Sequence, residues 1–364
     1  MNSYSTASAP TRRTFLKGVA ALAGAGVVDQ ISARAANPQH RLKLGFDNFA
    51  VRDMKWNAVQ LIEYGAKLKV DSIFITDFGP FEKRDDASLG EIRKRAEDQG
   101  MQIQLGSWSI CPTAKSFRKD WGTAEEHLRL GLRMAKALGS PVFRVILGNG
   151  DDRKSAGGIE ARIEDTVAVC RACRNQSLDS GVKIAVENHA GDMQARELVT
   201  LIEAAGRDYV GANLDSGNAC WTMEDPLRNL EILGPYVLTT SLRDSMIWEY
   251  EKGVAVQWTA MGEGIVDFKS FFEHFIRVCP NAPVHIETIS GFTRRLALFE
   301  NEFWTHWPKM EARDLARFMA LAKKGKAIPE FRAPNPQAGQ EYQKGEIERS
   351  IAYCKNTLGL GRRM

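Results

Sequence analysis

The chain has 364 residues, of which 44% are hydrophobic and 26% charged. That composition fits one large globular domain or two ordinary ones and excludes collagen, coiled coil and a disordered chain. The formal charge is +4, and Arg12, Arg13, Lys17 and Arg34 against Asp29 place most of it in the first 35 residues. The nearly neutral remainder gives no reason to expect nucleic acid or an anionic membrane as partner.

The chain opens with Thr11-Arg12-Arg13-Thr14-Phe15-Leu16-Lys17, a short, weakly apolar run from Gly18 to Val28, and Ala33-Arg34-Ala35 as a small-x-small cleavage site. This resembles a twin-arginine (Tat) export signal over residues 1–35. It implies a mature chain from about Ala36, the Tat translocon as a partner during export, and a periplasmic or secreted protein. The run is about half the length of a membrane span, so no membrane anchor is expected. The six cysteines, Cys111, Cys170, Cys173, Cys220, Cys279 and Cys354, have no framework spacing. Cys170 and Cys173 form a C-x-x-C inside a helical stretch without a second pair, which reads as helix packing rather than a redox or zinc site.

From residue 42 short apolar runs alternate with amphipathic segments. Strands are predicted at 42–47, 72–77, 101–107, 142–147, 183–188, 210–215, 236–243 and 284–288. Helices are predicted at 55–69, 88–99, 123–138, 158–179, 195–205, 226–233, 267–278 and 309–323. Strands this apolar between helices imply a parallel sheet buried on both faces, and eight βα units imply a (β/α)8 TIM barrel over residues 36–325. An open doubly wound sheet is the competing fold, but Gly45-Phe46-Asp47-Asn48-Phe49 after the first strand is not its glycine-rich phosphate turn. Residues 326–364 read as a linker, proline-rich from Pro329 to Gly339, followed by a C-terminal helix at 340–357.

In such a barrel the chemistry sits at the C-terminal strand ends. Glu187 ends Lys-Ile-Ala-Val-Glu, Asp215 ends Gly-Ala-Asn-Leu-Asp and Glu287 ends Val-His-Ile-Glu, on strands five, six and eight. Three anions in apolar surroundings require compensation. A hard divalent ion supplies it, or else separate pairing with arginines such as Arg144 and Arg243. The segment Asp244 to Gly264 is long for a βα loop and carries Trp248, Tyr250, Trp258 and Met261, so it is expected to cover the site; its aromatics, Trp248 among them, and Trp108 at the end of strand three either stack on a ligand or pack against the protein itself.

The order of Glu187, Asp215 and Glu287, the tripeptide Leu242-Arg243-Asp244, and Gly262-Glu263-Gly264-Ile265-Val266-Asp267-Phe268 resemble the xylose isomerase-like TIM barrels. Within them the chain is most similar to the sugar phosphate isomerase/epimerase group that includes tagatose 3-epimerase and inosose dehydratase. The resemblance implies a Mn or Mg ion held by Glu187, Asp215 and Glu287. The fourth ligand, a histidine in the family's H-x-K-D pattern, falls on Ser241, and a second frequent family histidine falls on Asn218. His189 and His285 share strand faces with Glu187 and Glu287. His189 is a candidate substrate contact at the strand mouth, and His285 is a substrate contact or a core residue one layer down.

The resemblance implies a sugar isomerase or epimerase in which Glu187 and Glu287 exchange a proton beside a carbonyl. Asp215 would hold the ion, and Arg243 a substrate oxygen or the enediolate. The same enolisation followed by loss of a leaving group would make the enzyme a lyase acting on a keto-sugar or keto-glycoside. A barrel that has lost its metal and only binds carbohydrate is a third reading, supported by Ser241 and Asn218. Nuclease chemistry is disfavoured, since it needs a histidine-rich zinc cluster and this chain has 6 histidines in all. Assembly into a homo-oligomer stays open.

Overall fold

The computed structural model describes residues 41–362, so residues 1–35, read above as an export signal, lie outside the described residues. The strands are β1 (Leu44–Asp47), β2 (Ser72–Ile75), β3 (Gln102–Ser109), β4 (Val142–Ile146), β5 (Lys183–Glu187), β6 (Val210–Leu214) and β7 (Val237–Thr240). They continue with β8 (Asp244–Tyr250), β9 (Gly253–Thr259), β10 (Val284–Ile286) and β11 (Thr293–Leu296). Eight of them form one parallel sheet in the order β10-β1-β2-β3-β4-β5-β6-β7. A parallel bridge between Leu242 and Ile286 joins its ends into a barrel. The eight strands and the eight helices lie where the alternating pattern predicts them.

The helices form where local chemistry and an apolar face agree. Ala124–Leu138 starts at a capping box between Thr123 and Glu126 and ends at Gly139 in a left-handed conformation. It buries Leu128, Leu132 and Leu138 against the barrel. Gly131 marks its closest approach, since a Cβ there would lie 2.0 Å from Phe143 Cζ on β4.

Four details differ from the sequence reading. The segment Asp244 to Gly264 is mostly an antiparallel hairpin, β8 on β9, extended by β11 into a three-stranded sheet. Its Ile247, Val254 and Val256 form a second apolar cluster, and the helix Ala312–Ala322 buries Phe318 and Ala322 there instead of against the barrel. The barrel face near β10 is covered by the C-terminal helix Pro336–Asn356, whose Ile347, Ile351 and Cys354 join the main core. That helix starts four residues earlier than the apolar pattern suggests, because Asn335 caps it and Pro336 fits a first helical turn. Its Gln343 Oε1 accepts from Asp53 N at 3.0 Å, fixing the turn that follows β1. The predicted helix 158–179 divides at Cys173 into Gly158–Ala172 and Arg174–Ser180. All six cysteines are buried and unpaired.

Helix propensity alone favours alanine over glycine at position 131 by about 1 kcal/mol, whereas the Phe143 ring leaves its methyl no room. Gly131→Ala is expected to destabilise the protein by about 1–3 kcal/mol in chemical denaturation. A variant as stable as the parent would contradict this packing.

Candidate active site

Glu187, Asp215 and Glu287 converge at the C-terminal ends of β5, β6 and β10, each buried, with carboxylate oxygens within 4.8 Å of one another. Asp47, ending β1, joins them. Its Oδ1 accepts from Phe49 N and Thr76 Oγ1, both at 2.8 Å, and its Oδ2 has no partner among the described residues. Facing these four carboxyls are Arg144 and Arg243, both buried, and the half-buried Arg52 from the turn after β1.

The partners divide cleanly. Arg144 Nε donates to Glu187 Oε2 at 2.5 Å, while its Nη1 is anchored on Ser107 O at 2.9 Å. Asn213 Nδ2 donates to the same Glu187 oxygen at 2.6 Å and to Ser241 Oγ at 3.2 Å. Asn218 Nδ2 donates to Glu187 Oε1 at 3.1 Å and to Asp215 Oδ2 at 2.6 Å. Asp215 Oδ1 accepts from Gly217 N and Asn218 N, each at 2.8 Å, capping the short helix Ser216–Trp221. Arg243 Nη2 donates to both Asp215 Oδ2 and Glu287 Oε2. Among the described residues no other nitrogen of that guanidinium has an acceptor, and Nε is buried.

Arg243 is held from behind. Its backbone N donates to Ser216 Oγ at 3.0 Å and its guanidinium lies 4.2 Å from the Trp258 ring. Trp258 stacks on Trp221 at 3.9 Å and 10°, and Arg294 covers the far face of Trp221 at 4.4 Å. Trp258 Nε1 donates to Gly217 O at 2.9 Å.

These contacts push the carboxyls apart in acidity. Burial raises Glu187, but Arg144 foremost, then His189, outweighs it and holds the group below the usual glutamate range. Burial raises Glu287 despite Arg243, and the nearby Glu187 charge raises it further. Burial also lifts Asp215 to about 8 against Arg243, and Asp47 well above its ordinary value. Two carboxyls held close around one guanidinium favour a retained proton.

The other predicted residues fall on both sides of this cluster. His189 is at the mouth beside Glu187, its Nδ1 2.6 Å from Gly148 O, and burial pushes it down to about 4. Trp108 is half-buried at the rim, edge-on to Phe49 and beneath Arg118. His285 takes the core alternative rather than a place at the mouth. It sits in the barrel interior with Nε2 2.9 Å from Ser72 Oγ and Nδ1 3.3 Å from Thr239 Oγ1, and burial pushes it down to about 3. Two residues of strand alternation place it one layer below Glu287. Trp248 lies on β8 opposite Ala255 and takes no part in the cluster among the described residues; the aromatics that serve it are Trp258 and Trp221. Sequence reading passed over Asp47, Asn213 and Trp221. The first two carried a signal, being polar residues at the end of or inside otherwise apolar barrel strands.

The residues do not fit the metal ion that the family pattern implies, as they stand here. Three carboxylates at this spacing would suit a hard cation, but the nitrogen ligands are replaced by Ser241 and Asn218. Asn218 turns N–H donors toward Glu187 and Asp215, and Arg243 bridges Asp215 and Glu287. Glu187 and Asp215 already accept N–H donors on both oxygens.

Residues 50–301 match the family model described as xylose isomerase-like TIM barrel. A curated relative is 3-oxo-isoapionate decarboxylase of Pectobacterium atrosepticum, 21% identical over 215 residues, covering 58% of this chain and 70% of that protein. Among solved structures, D-psicose 3-epimerase in the presence of D-fructose has a TM-score of 0.58 at 15% identity, covering 87% of this chain and 100% of that one. The IolI protein with a bound zinc atom has a TM-score of 0.52 at 16% identity, covering 79% of this chain and 100% of that one. The barrel, the ordered carboxylates on its strand ends and the extent of the matched region together make this chain a member of the xylose isomerase-like TIM barrel family.

Proposed function

We propose that the protein is an exported enzyme that enolises a keto-sugar, acting as an isomerase or epimerase. The observation that carries this reading is the pair Glu187 and Glu287, buried close together at the barrel mouth in surroundings that shift their acidities in opposite directions. Groups whose environments separate their acidities serve as base and acid. Glu187, ionised against Arg144, takes the proton from the carbon beside the carbonyl. The C–H electron pair forms the C=C bond as the carbonyl π pair moves onto oxygen, giving an enediol(ate). Glu287 supplies a proton to that oxygen or to the opposite face of the carbon. The nitrogens of Arg243 that have no acceptor are donors for the developing oxyanion, while Nη2 keeps Asp215 and Glu287 in place. His189 and Trp108 line the approach as substrate contacts. A free sugar suits an exported enzyme better than a phosphorylated intracellular one.

A lyase is the second reading, and the curated relative favours it, because its name is that of a decarboxylase acting on an oxidised sugar acid. β-Elimination starts from the same enolate formed by proton removal, whereas decarboxylation reaches an enolate as the C–C bond to the carboxylate breaks and CO2 leaves, after which a carboxyl such as Glu287 protonates the carbon.

Glu187→Gln and Glu287→Gln are each expected to lower turnover by about 10²–10⁴-fold with an unchanged circular dichroism spectrum; full activity in either removes that residue from proton transfer. The pH profile of kcat/KM should be a bell. Its acid limb, from protonation of Glu187, lies below the usual glutamate range, and its alkaline limb, from loss of the Glu287 proton, lies above it. A profile with no alkaline limb would contradict the assigned acid. Proton NMR in heavy water against keto-sugars and 3-keto-glycosides, with and without Mg, should show loss of the signal beside the carbonyl. A new epimer supports the isomerase and a new unsaturated or decarboxylated product the lyase, whereas no exchange with any of them would leave a binding barrel.

A further inference from the structure

We infer that the resident cation of this barrel is the Arg243 guanidinium, in place of a divalent metal. The inference concerns what occupies the site and holds whichever reaction follows.

Arg243 Nη2 reaches Asp215 and Glu287 together, two of the three carboxylates that would ring an ion. The third, Glu187, is taken by Arg144, Asn213 and Asn218. A metal among these oxygens would require Arg243 to withdraw and the Asn218 amide to turn over, since that amide presents its N–H donors, not its carbonyl oxygen, to the space between Glu187 and Asp215.

The surroundings oppose that withdrawal, and they do so without help from the carboxylates. Gly217 lies so close that a Cβ there would be 2.2 Å from Arg243 Cγ and 2.4 Å from Cδ, so the side chain lies flat along that backbone. Trp258 supports the guanidinium face at 4.2 Å, and its own position is set by the stacked Trp221 and by the hydrogen bond to Gly217 O. Ser216 Oγ donates to Arg243 O at 2.6 Å and accepts from its N at 3.0 Å. A guanidinium fixed at both backbone and ring is a built feature of this site. A divalent ion within a few ångströms of it would be opposed by like-charge repulsion in a buried space.

The test reads metal, so it is independent of whether the proposed reaction is found. Mn titrated into the full-length mature protein is followed by the electron paramagnetic resonance of free Mn, with Trp fluorescence reporting on Trp258 in parallel. The wild type is expected to leave the free-Mn signal at its full height and its fluorescence unchanged by Mn or by EDTA. Arg243→Ala, which empties the place while keeping the carboxylates, is expected to bind Mn at least about tenfold more tightly than the wild type. Should that variant fail to fold, the wild type decides alone. One Mn bound per wild-type chain, lost in Asp215→Asn, would overturn the inference. Mn binding that survives Asp215→Asn unchanged lies outside this cluster and agrees with it.

Discussion

The contact on which the site depends is the shared hydrogen bonding of Arg243 Nη2 to Asp215 and Glu287. Two carboxylates from strands that are not neighbours in the barrel would repel one another in a buried space. A common guanidinium turns that repulsion into a fixed spacing. The geometry of the mouth then follows from what positions Arg243. The chain crosses from β7 into the hairpin at Leu242, whose bridge to Ile286 closes the barrel, and Arg243 is the next residue. Closure of the sheet and placement of the charge are thus one event in the chain. Removing either carboxylate would leave the arginine with one partner, and removing the arginine would leave two buried carboxyls to compete for protons.

The hairpin shows why the barrel carries an extra sheet. In a plain barrel the loop after strand seven runs directly into its helix. Here β8 and β9 project from it, and β9 delivers Trp258 beneath Arg243 while β11 brings Arg294 over Trp221. The hairpin needs a core of its own to hold that position. The helix Ala312–Ala322 supplies it through Phe318 and Ala322, leaving the C-terminal helix to cover the barrel face near β10. The hairpin that supports Arg243 is thus packed by one of the last two helices, and the barrel by the other.

Most of this architecture was legible in the sequence, because barrel strands buried on both faces read as continuous apolar runs and their helices carry caps and amphipathic spacing. Glu187, Asp215 and Glu287 were legible for the same reason, as charges at the ends of apolar strands. What could not be read was pairing across the barrel. Nothing in a linear pattern says that Arg243 meets Asp215 and Glu287 while Arg144 meets Glu187, since each pair is separated by 28 to 44 positions. The β8–β9 hairpin was missed because both its faces are largely covered, which erases the alternation expected of an exposed hairpin. His285 was legible as well: two residues before Glu287 on the same strand face, it lies one layer deeper, as the core alternative expected.

The most direct measurement is anomalous diffraction from crystals of the mature protein soaked in Mn. The account predicts no anomalous peak between Glu187, Asp215 and Glu287, with Arg243 on Trp258 and bonded to both of its carboxylates. A full peak among those oxygens, with Arg243 turned away from Trp258, would contradict it.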